Sequence, residues 1–268
     1  MPRFGLHTSI AESLAGAAEK AASLGCDAFQ IFSASPRTWR ASPLDAVEVR
    51  RFRDTRERLA LTPVVVHTNY LVNLAAADPV VRTRSIAAFR GEMERAIALG
   101  ADYLVLHPGS HRGQTLEQSL RTFARSIGRA ARRLRCNGLR ILLENTAGSG
   151  NTLGRSAEEL LELRRLVDLP VGFCLDTAHC FAAGLSFAPL LDALGDVPVI
   201  HCNDSRTPFG SQIDRHEHIG KGGIGRAGFR VLLADPRLRD KALILETPVE
   251  RPGDERRNVR ALRTLGNP

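Results

Sequence analysis

Eight short apolar runs, spaced along the whole chain, constrain this sequence more than any other feature. They fall at residues 4–7, 28–32, 64–67, 103–107, 140–144, 171–176, 199–203 and 242–246. Each is four to six residues long and rich in Val, Ile, Leu and Phe. Continuous apolar runs of this length suit strands of a parallel sheet buried on both faces. Helical patterns lie between them, at 14–24, 80–99, 116–134 and 160–167, with stops at Gly25, Gly100, Asn137-Gly138 and Pro170. Eight strand–helix units in 268 residues give about 33 residues per unit, the length of a βα repeat. The pattern therefore predicts a single (β/α)8 TIM barrel spanning residues 1–268. The other parallel arrangement, a doubly wound sheet, lacks support because no GxGxxG follows the first strand.

Composition narrows the class further. Apolar residues make up 43% and charged residues 25%, which excludes a mostly disordered chain. No apolar run approaches the ~18 residues of a membrane helix, and the N-terminus reads as a strand and then a helix, not a secretory signal. The five cysteines are odd in number and scattered without a CxxC, so a reducing cytoplasm is the expected home. The net charge of +8 is almost all arginine, since only Lys20, Lys221 and Lys241 are lysines. That excess is a weak pointer to a polyanionic partner.

The chemistry-bearing residues cluster at one place in each repeat. His67, His107, Glu144, Asp176 and Glu246 close their apolar runs, and His201 lies within the seventh. His179 follows Asp176 by three residues, and Asp214 and His216 sit in the loop after His201. Parallel strands of a barrel all end at one rim, so these nine side chains would converge on one cavity. One such histidine would mean little. Four carboxylates packed without a cation would repel one another and take up protons. Five imidazoles and four carboxylates suit zinc-like ions, which prefer N and O ligands. With one bridging carboxylate they offer ten contacts, enough for three sites of three or four protein ligands.

At these residues the sequence becomes similar to a known family. HTNYLVNLA, LHPGSH, LLENTAGSG, CLDTAHCFAAG, HCNDSRTPFGSQIDRHEHIGKGGIG and LILETP occur in order from end to end. They resemble the endonuclease IV family, the zinc-dependent apurinic/apyrimidinic (AP) endonucleases among the xylose isomerase-like TIM barrels. The resemblance implies three zinc ions. His67, His107 and Glu144 would hold the first. Glu144 would bridge to the second, with Asp176, His201 and Glu246. His179, Asp214 and His216 would hold the third. It implies hydrolysis of the phosphodiester 5′ to an abasic site in duplex DNA, leaving 3′-hydroxyl and 5′-deoxyribose phosphate ends. Glu144 would hold the catalytic pair. Arg37 in SPRTW would enter the duplex at the lesion, and Tyr70 and Leu71 would wedge into the stack. The family also suggests a monomer acting in the cytoplasm, on the nucleoid. Cys202, Ala178 and Cys180 depart from the family pattern beside ligands and are expected to affect packing only.

The remaining features carry less. His7, His111 and His218 lie near the same rim, with supporting or structural roles expected. Residues 220–225, GKGGIG, lack the GxxxxGK[ST] order and read as a flexible turn before a helix at 226–233. Asn69, Asn145 and Asn203 follow strand ends and are expected to hydrogen-bond the ligands. A metal-dependent sugar isomerase or epimerase of the same barrel type is the rival reading, but gives no role to Asp214 and His216. A non-catalytic nucleic-acid-binding barrel that keeps zinc for stability is the rival of another class.

Overall fold

The computed structural model describes residues 1–266, so the last two positions of the expected span, 267 and 268, lie outside the described residues. Eight parallel strands close on themselves: β1 (Arg3–His7), β2 (Ala28–Phe32), β3 (Val64–His67), β4 (Tyr103–Leu106), β5 (Arg140–Glu144), β6 (Val171–Asp176), β7 (Val199–His201) and β10 (Ala242–Leu245). β1 pairs with both β2 and β10, which completes the barrel. Two residues each of β8 (Asp204–Ser205) and β9 (His216–Glu217) form a small antiparallel ladder outside it. The expected strands are all present. Three end early: β4 and β10 stop one residue short, and β7 stops two residues short. There the backbone leaves the ladder to form the loops that begin with His107, Cys202 and Glu246.

The helices around the barrel are α1 (Leu14–Ser23), α2 (Ala46–Arg58), α3 (Pro79–Leu99), α4 (Leu116–Ala131), α5 (Ala157–Leu166), α6 (Thr177–Ala182), α7 (Phe187–Leu194), α8 (Gly225–Leu233) and α9 (Asp254–Gly266). Their ends follow local chemistry. Asp78 caps α3 ahead of Pro79, and Gly100 closes it in the left-handed conformation at φ 68°. Thr115 and Gln118 form a reciprocal capping box on α4. The sequence patterns describe α1, α3, α4, α5 and α8 but not α2, α6, α7 or α9. Of α2 only Phe52 and Thr55 are buried, so it carries no apolar stripe to detect. No helix among the described residues is long and apolar enough to cross a membrane.

Alternation along each strand produces two separate cores. Residues such as Phe29, Ile31, Val64, Val66, Leu104, Leu106, Leu143 and Phe173 face outward and pack under the helices. The residues between them, Ala28, Val65, Val105, Leu142, Cys174, Val199, Ala242 and Ile244, meet inside the barrel as a second cluster. β1 contributes Gly5 to this interior, where a Cβ would lie 2.4 Å from the Ala28 carbonyl oxygen and 2.7 Å from Ile244 Cδ1. Only glycine fits there. The interior is thus filled at this level, as in other barrels of eight strands.

Candidate metal centre

Two residues beyond one interior position of every strand, the chain presents a polar side chain on the same face. Gly5 is followed by His7, Ala28 by Gln30, Val65 by His67 and Val105 by His107. Leu142 is followed by Glu144, Cys174 by Asp176, Val199 by His201 and Ile244 by Glu246. Because all eight strands run the same way, these eight residues gather at one end of the barrel. Three more arrive from outside the barrel. Asp176 caps α6 by accepting from the His179 N–H at 2.8 Å, which turns His179 back over the rim. His216 returns on the β8–β9 ladder, in which Ser205 pairs with it, and Asp214 on the loop just before β9. Seven of these eleven, His7, His67, His107, His179, Asp214, His216 and Glu246, line a cavity of about 430 Å³ together with Phe32, Tyr70 and Arg215, while Gln30, Glu144, Asp176 and His201 are fully buried.

At this end of the barrel the candidate ligands form three overlapping groups: His67, His107 and Glu144; Asp176, His179 and His216; and Glu144, Asp176, His201 and Glu246. In each group the donor atoms all lie within 4.8 Å of one another. Glu144 is shared. Its Oε2 lies 3.1 Å from His67 Nε2 and 3.3 Å from His107 Nε2, and its Oε1 lies 3.0 Å from His201 Nδ1. Asp214 stands at the edge of the second group, half exposed, with its carboxylate 3.1 Å from His179 Nε2 and 3.4 Å from His216 Nε2.

Charge in this cluster is strongly biased. Burial pushes the Glu144 carboxyl up, but the His107 and His201 imidazoles outweigh it and hold the group well below its usual range. Burial likewise works against charge on His179, and Asp176, Asp214 and Glu144 overcome it, raising the imidazole well above its ordinary value. Asp214 is held at about 2: burial opposes this, and its hydrogen bond and attraction to His179 win.

The hydrogen bonds around the histidines test whether a cation fits. Carbonyl oxygens only accept, so a ring nitrogen against one carries a proton. His67 Nδ1 lies 2.8 Å from the Thr68 carbonyl, His179 Nδ1 3.0 Å from that of Asn145, and His216 Nδ1 3.1 Å from that of Glu246. His201 Nε2 lies 2.8 Å from Gln30 Oε1. In each neutral ring the other nitrogen then points a lone pair at the carboxylates. His216 Nε2 is buried with no hydrogen-bond partner among the described residues. A lone pair aimed at an anion repels unless a positive charge lies between them, whether a proton, as the raised His179 value shows, or a metal ion. The donor set therefore fits divalent metal ions that favour imidazole and carboxylate.

Gln30 carries no mark in the sequence, where it is one polar residue inside the apolar run AFQIF. It is fully buried. Its Oε1 accepts from His201, while its Nε2 donates to Glu246 at 2.6 Å and lies 2.9 Å from His7 Nδ1. It thus fixes which nitrogen of His201 faces the cluster. Asn203 donates to Asp176 Oδ2 at 2.6 Å, and Asn145 accepts from the Asp176 N–H at 2.6 Å, as expected of them. Asn69 does not touch the cluster; it bonds to Glu92 on α3. His111 bonds within its own loop and His218 packs against Asn258, both in structural roles. The GKGGIG turn is held, not free. The buried Asp204 carboxylate accepts from the N–H groups of Gly222 and Ile224, both at 2.9 Å. A Cβ on Gly222 would lie 2.6 Å from that carboxylate. Cys180 and Cys202 are buried packing residues.

The residues singled out for DNA lie on neighbouring loops, and of the three Tyr70 lines the cavity. Arg37 is exposed on the loop after β2. Tyr70, on the loop after β3, is 67% exposed although its ring meets Phe32 at 5.2 Å, and Leu71 is half-buried.

Residues 18–265 match the family described as xylose isomerase-like TIM barrel. A protein of Solibacter usitatus named Probable endonuclease 4 is 52% identical over 98% of this chain and 96% of its own length. The chain belongs to the endonuclease IV family. The crystal structure of endonuclease IV from Thermus thermophilus superimposes with a TM-score of 0.85 at 40% identity, covering 98% of both chains. A D-tagatose 3-epimerase-like protein matches with a TM-score of 0.77 at 22% identity, which places it with endonuclease IV in fold alone.

Proposed function

We propose that this chain is a DNA-repair endonuclease that hydrolyses the phosphodiester 5′ to abasic sites, using three zinc ions held at the barrel rim. The products are a 3′-hydroxyl and a 5′-deoxyribose phosphate. The convergence of five histidines and four carboxylates, with the ring tautomers of four histidines set by carbonyl acceptors, carries the reading. The name of the Solibacter relative supports the class of reaction. We assign His67, His107 and Glu144 to one ion, and Glu144, Asp176, His201 and Glu246 to a second. His179, Asp214 and His216 take the third. Zinc, when bound, supplies Lewis acidity and charge neutralisation toward the phosphodiester.

The chain's own residues do the rest. Glu144 stays anionic in its nest of imidazoles, so it accepts a hydrogen bond and orients the attacking water. Gln30, Asn145 and Asn203 hold the ligands in place. Tyr70 and Leu71 fill the space that an extruded nucleotide leaves in the stack, and Arg37 enters at the lesion. Arginines around the mouth grip phosphates. The whole of residues 1–268 acts as one domain and as a monomer, on DNA in the cytoplasm.

A duplex with one tetrahydrofuran abasic analogue tests the reading against its rivals. The expected result is a nick 5′ to the analogue without added Mg2+, by protein carrying close to three zinc ions by elemental analysis. Turnover of a ketose in place of the nick would identify a sugar epimerase. Binding without a nick would identify a zinc-stabilised binding protein. Binding of intact duplex should fall with salt at a log–log slope of roughly −3 to −6, near −0.9 per phosphate contacted.

A further inference from the structure

The two loops proposed to contact the lesion leave the barrel side by side. Residues 33–45 follow β2 and carry Arg37; residues 68–78 follow β3 and carry Tyr70 and Leu71. One backbone bond joins them directly, from the Tyr70 N–H to the Pro36 carbonyl at 3.1 Å. Behind them α3 supplies a buried anchor. Glu92, only 6% exposed, accepts from Ser33 Oγ at 2.6 Å and from Asn69 Nδ2 at 3.3 Å. Asn69 Oδ1 in turn accepts from the Leu71 N–H at 3.0 Å. Nearly one turn further on, Arg95 donates through Nε to the Ser33 carbonyl at 3.1 Å and through Nη1 to the Ser42 carbonyl at 2.6 Å.

A buried carboxylate is an expensive way to fasten a helix to a sheet, since apolar packing does it without desolvating a charge. Here both Glu92 oxygens are used, one on each loop. Surface loops are ordinarily the mobile part of a barrel. These two start from one shared group, so their tips keep a fixed spacing before any duplex arrives. A contact surface ordered in advance binds more tightly because less freedom is lost on binding.

We infer that Glu92 is a positioning residue for lesion recognition: from α3 it locks the loops carrying Arg37 and Tyr70-Leu71 into one rigid unit. The inference rests on the proposed role of those three residues. Glu92 lies behind the loops and is not among the residues that line the metal cavity.

The test uses the full-length, zinc-loaded protein in an E144Q background, so that DNA is bound and not cut. The quantity read is the ratio of affinities for a tetrahydrofuran-containing duplex and the intact duplex. A 2-aminopurine opposite the lesion reports unstacking. Glu92→Ala should lower the ratio by roughly fivefold to a hundredfold, the scale of a lost stacking contact. It should also reduce the 2-aminopurine signal, while metal content and intact-duplex affinity stay the same. Glu92→Gln and Ser33→Ala should do the same to a smaller degree, and they carry the test where Glu92→Ala folds poorly. Added to an R37A/Y70A double variant, Glu92→Ala should have little further effect, because of the residues it acts through only Leu71 remains. A lower melting temperature with an unchanged ratio would make Glu92 a structural residue and overturn the inference. So would a full additional loss in the double-variant background. An R37A/Y70A protein with undiminished lesion preference overturns the wedge reading itself, and the inference with it.

Discussion

Two rings of side chains line the inside of one barrel, a single pleat apart. The lower ring, from Gly5 on β1 to Ile244 on β10, is apolar and sealed from solvent. The upper ring, from His7 to Glu246, holds only imidazoles, carboxylates and an amide. The same eight strands supply both, β10 giving two residues to the floor, and on every strand the rim group is the inward residue that follows a floor position. The difference lies in what surrounds a polar atom at each level. On the floor it is sealed from solvent, and the Cys174 thiol, with His201 beside it, is pushed up by burial to about 12 and stays neutral. At the rim each polar group finds another from a neighbouring strand. Stability and chemistry are thus assigned by position along the strand, about 7 Å apart.

The sharpest way to break this division is a pair of substitutions on β5. Glu144→Gln should cut the rate of cleavage at an abasic site by ~100-fold or more, the scale for loss of a main electrostatic stabiliser. The protein should remain folded and retain abasic-DNA binding. Leu142→Ala, two residues earlier, should lower folding stability by ~2–5 kcal/mol in denaturant titration, with turnover per folded molecule close to normal. If Leu142→Ala abolished turnover in the folded fraction, or Glu144→Gln left it intact, the two levels would not be separable. Gln30→Ala sharpens the comparison at the rim. Loss of the group that sets the His201 tautomer should weaken metal binding ~10–100-fold in chelator competition. Unchanged metal affinity would assign Gln30 to packing. The smallest effect belongs to the floor. Ile244→Val should cost ~0.5–1.5 kcal/mol and leave metal affinity where it was, measured by the same competition.

The floor and most of the rim were legible in the sequence because a buried parallel strand writes its length directly as an apolar run, and its terminal polar residue then stands out. His67, Glu144 and Asp176 end their runs and end their strands. Gln30 was not legible. It sits inside a run, and its partners His201 and Glu246 are 171 and 216 positions away. Only closure of the barrel brings them together. Asn69 was misread for a related reason: a strand-end position fixes where a residue begins, not which way its side chain turns, and this one turns to Glu92. α2 and α9 escaped because their exposed faces are crowded with arginine and acid, which dilutes the helical stripe.

The packed floor has a consequence for traffic. A vessel shut at its base has one mouth, so whatever reaches the rim groups enters and leaves by the same opening, which Tyr70 and Asp214 both line. A duplex lying across that mouth becomes a lid. If the proposed function holds, ions beneath it would not exchange with solvent until the DNA departs, and a chelator added to the complex should strip them no faster than the duplex dissociates.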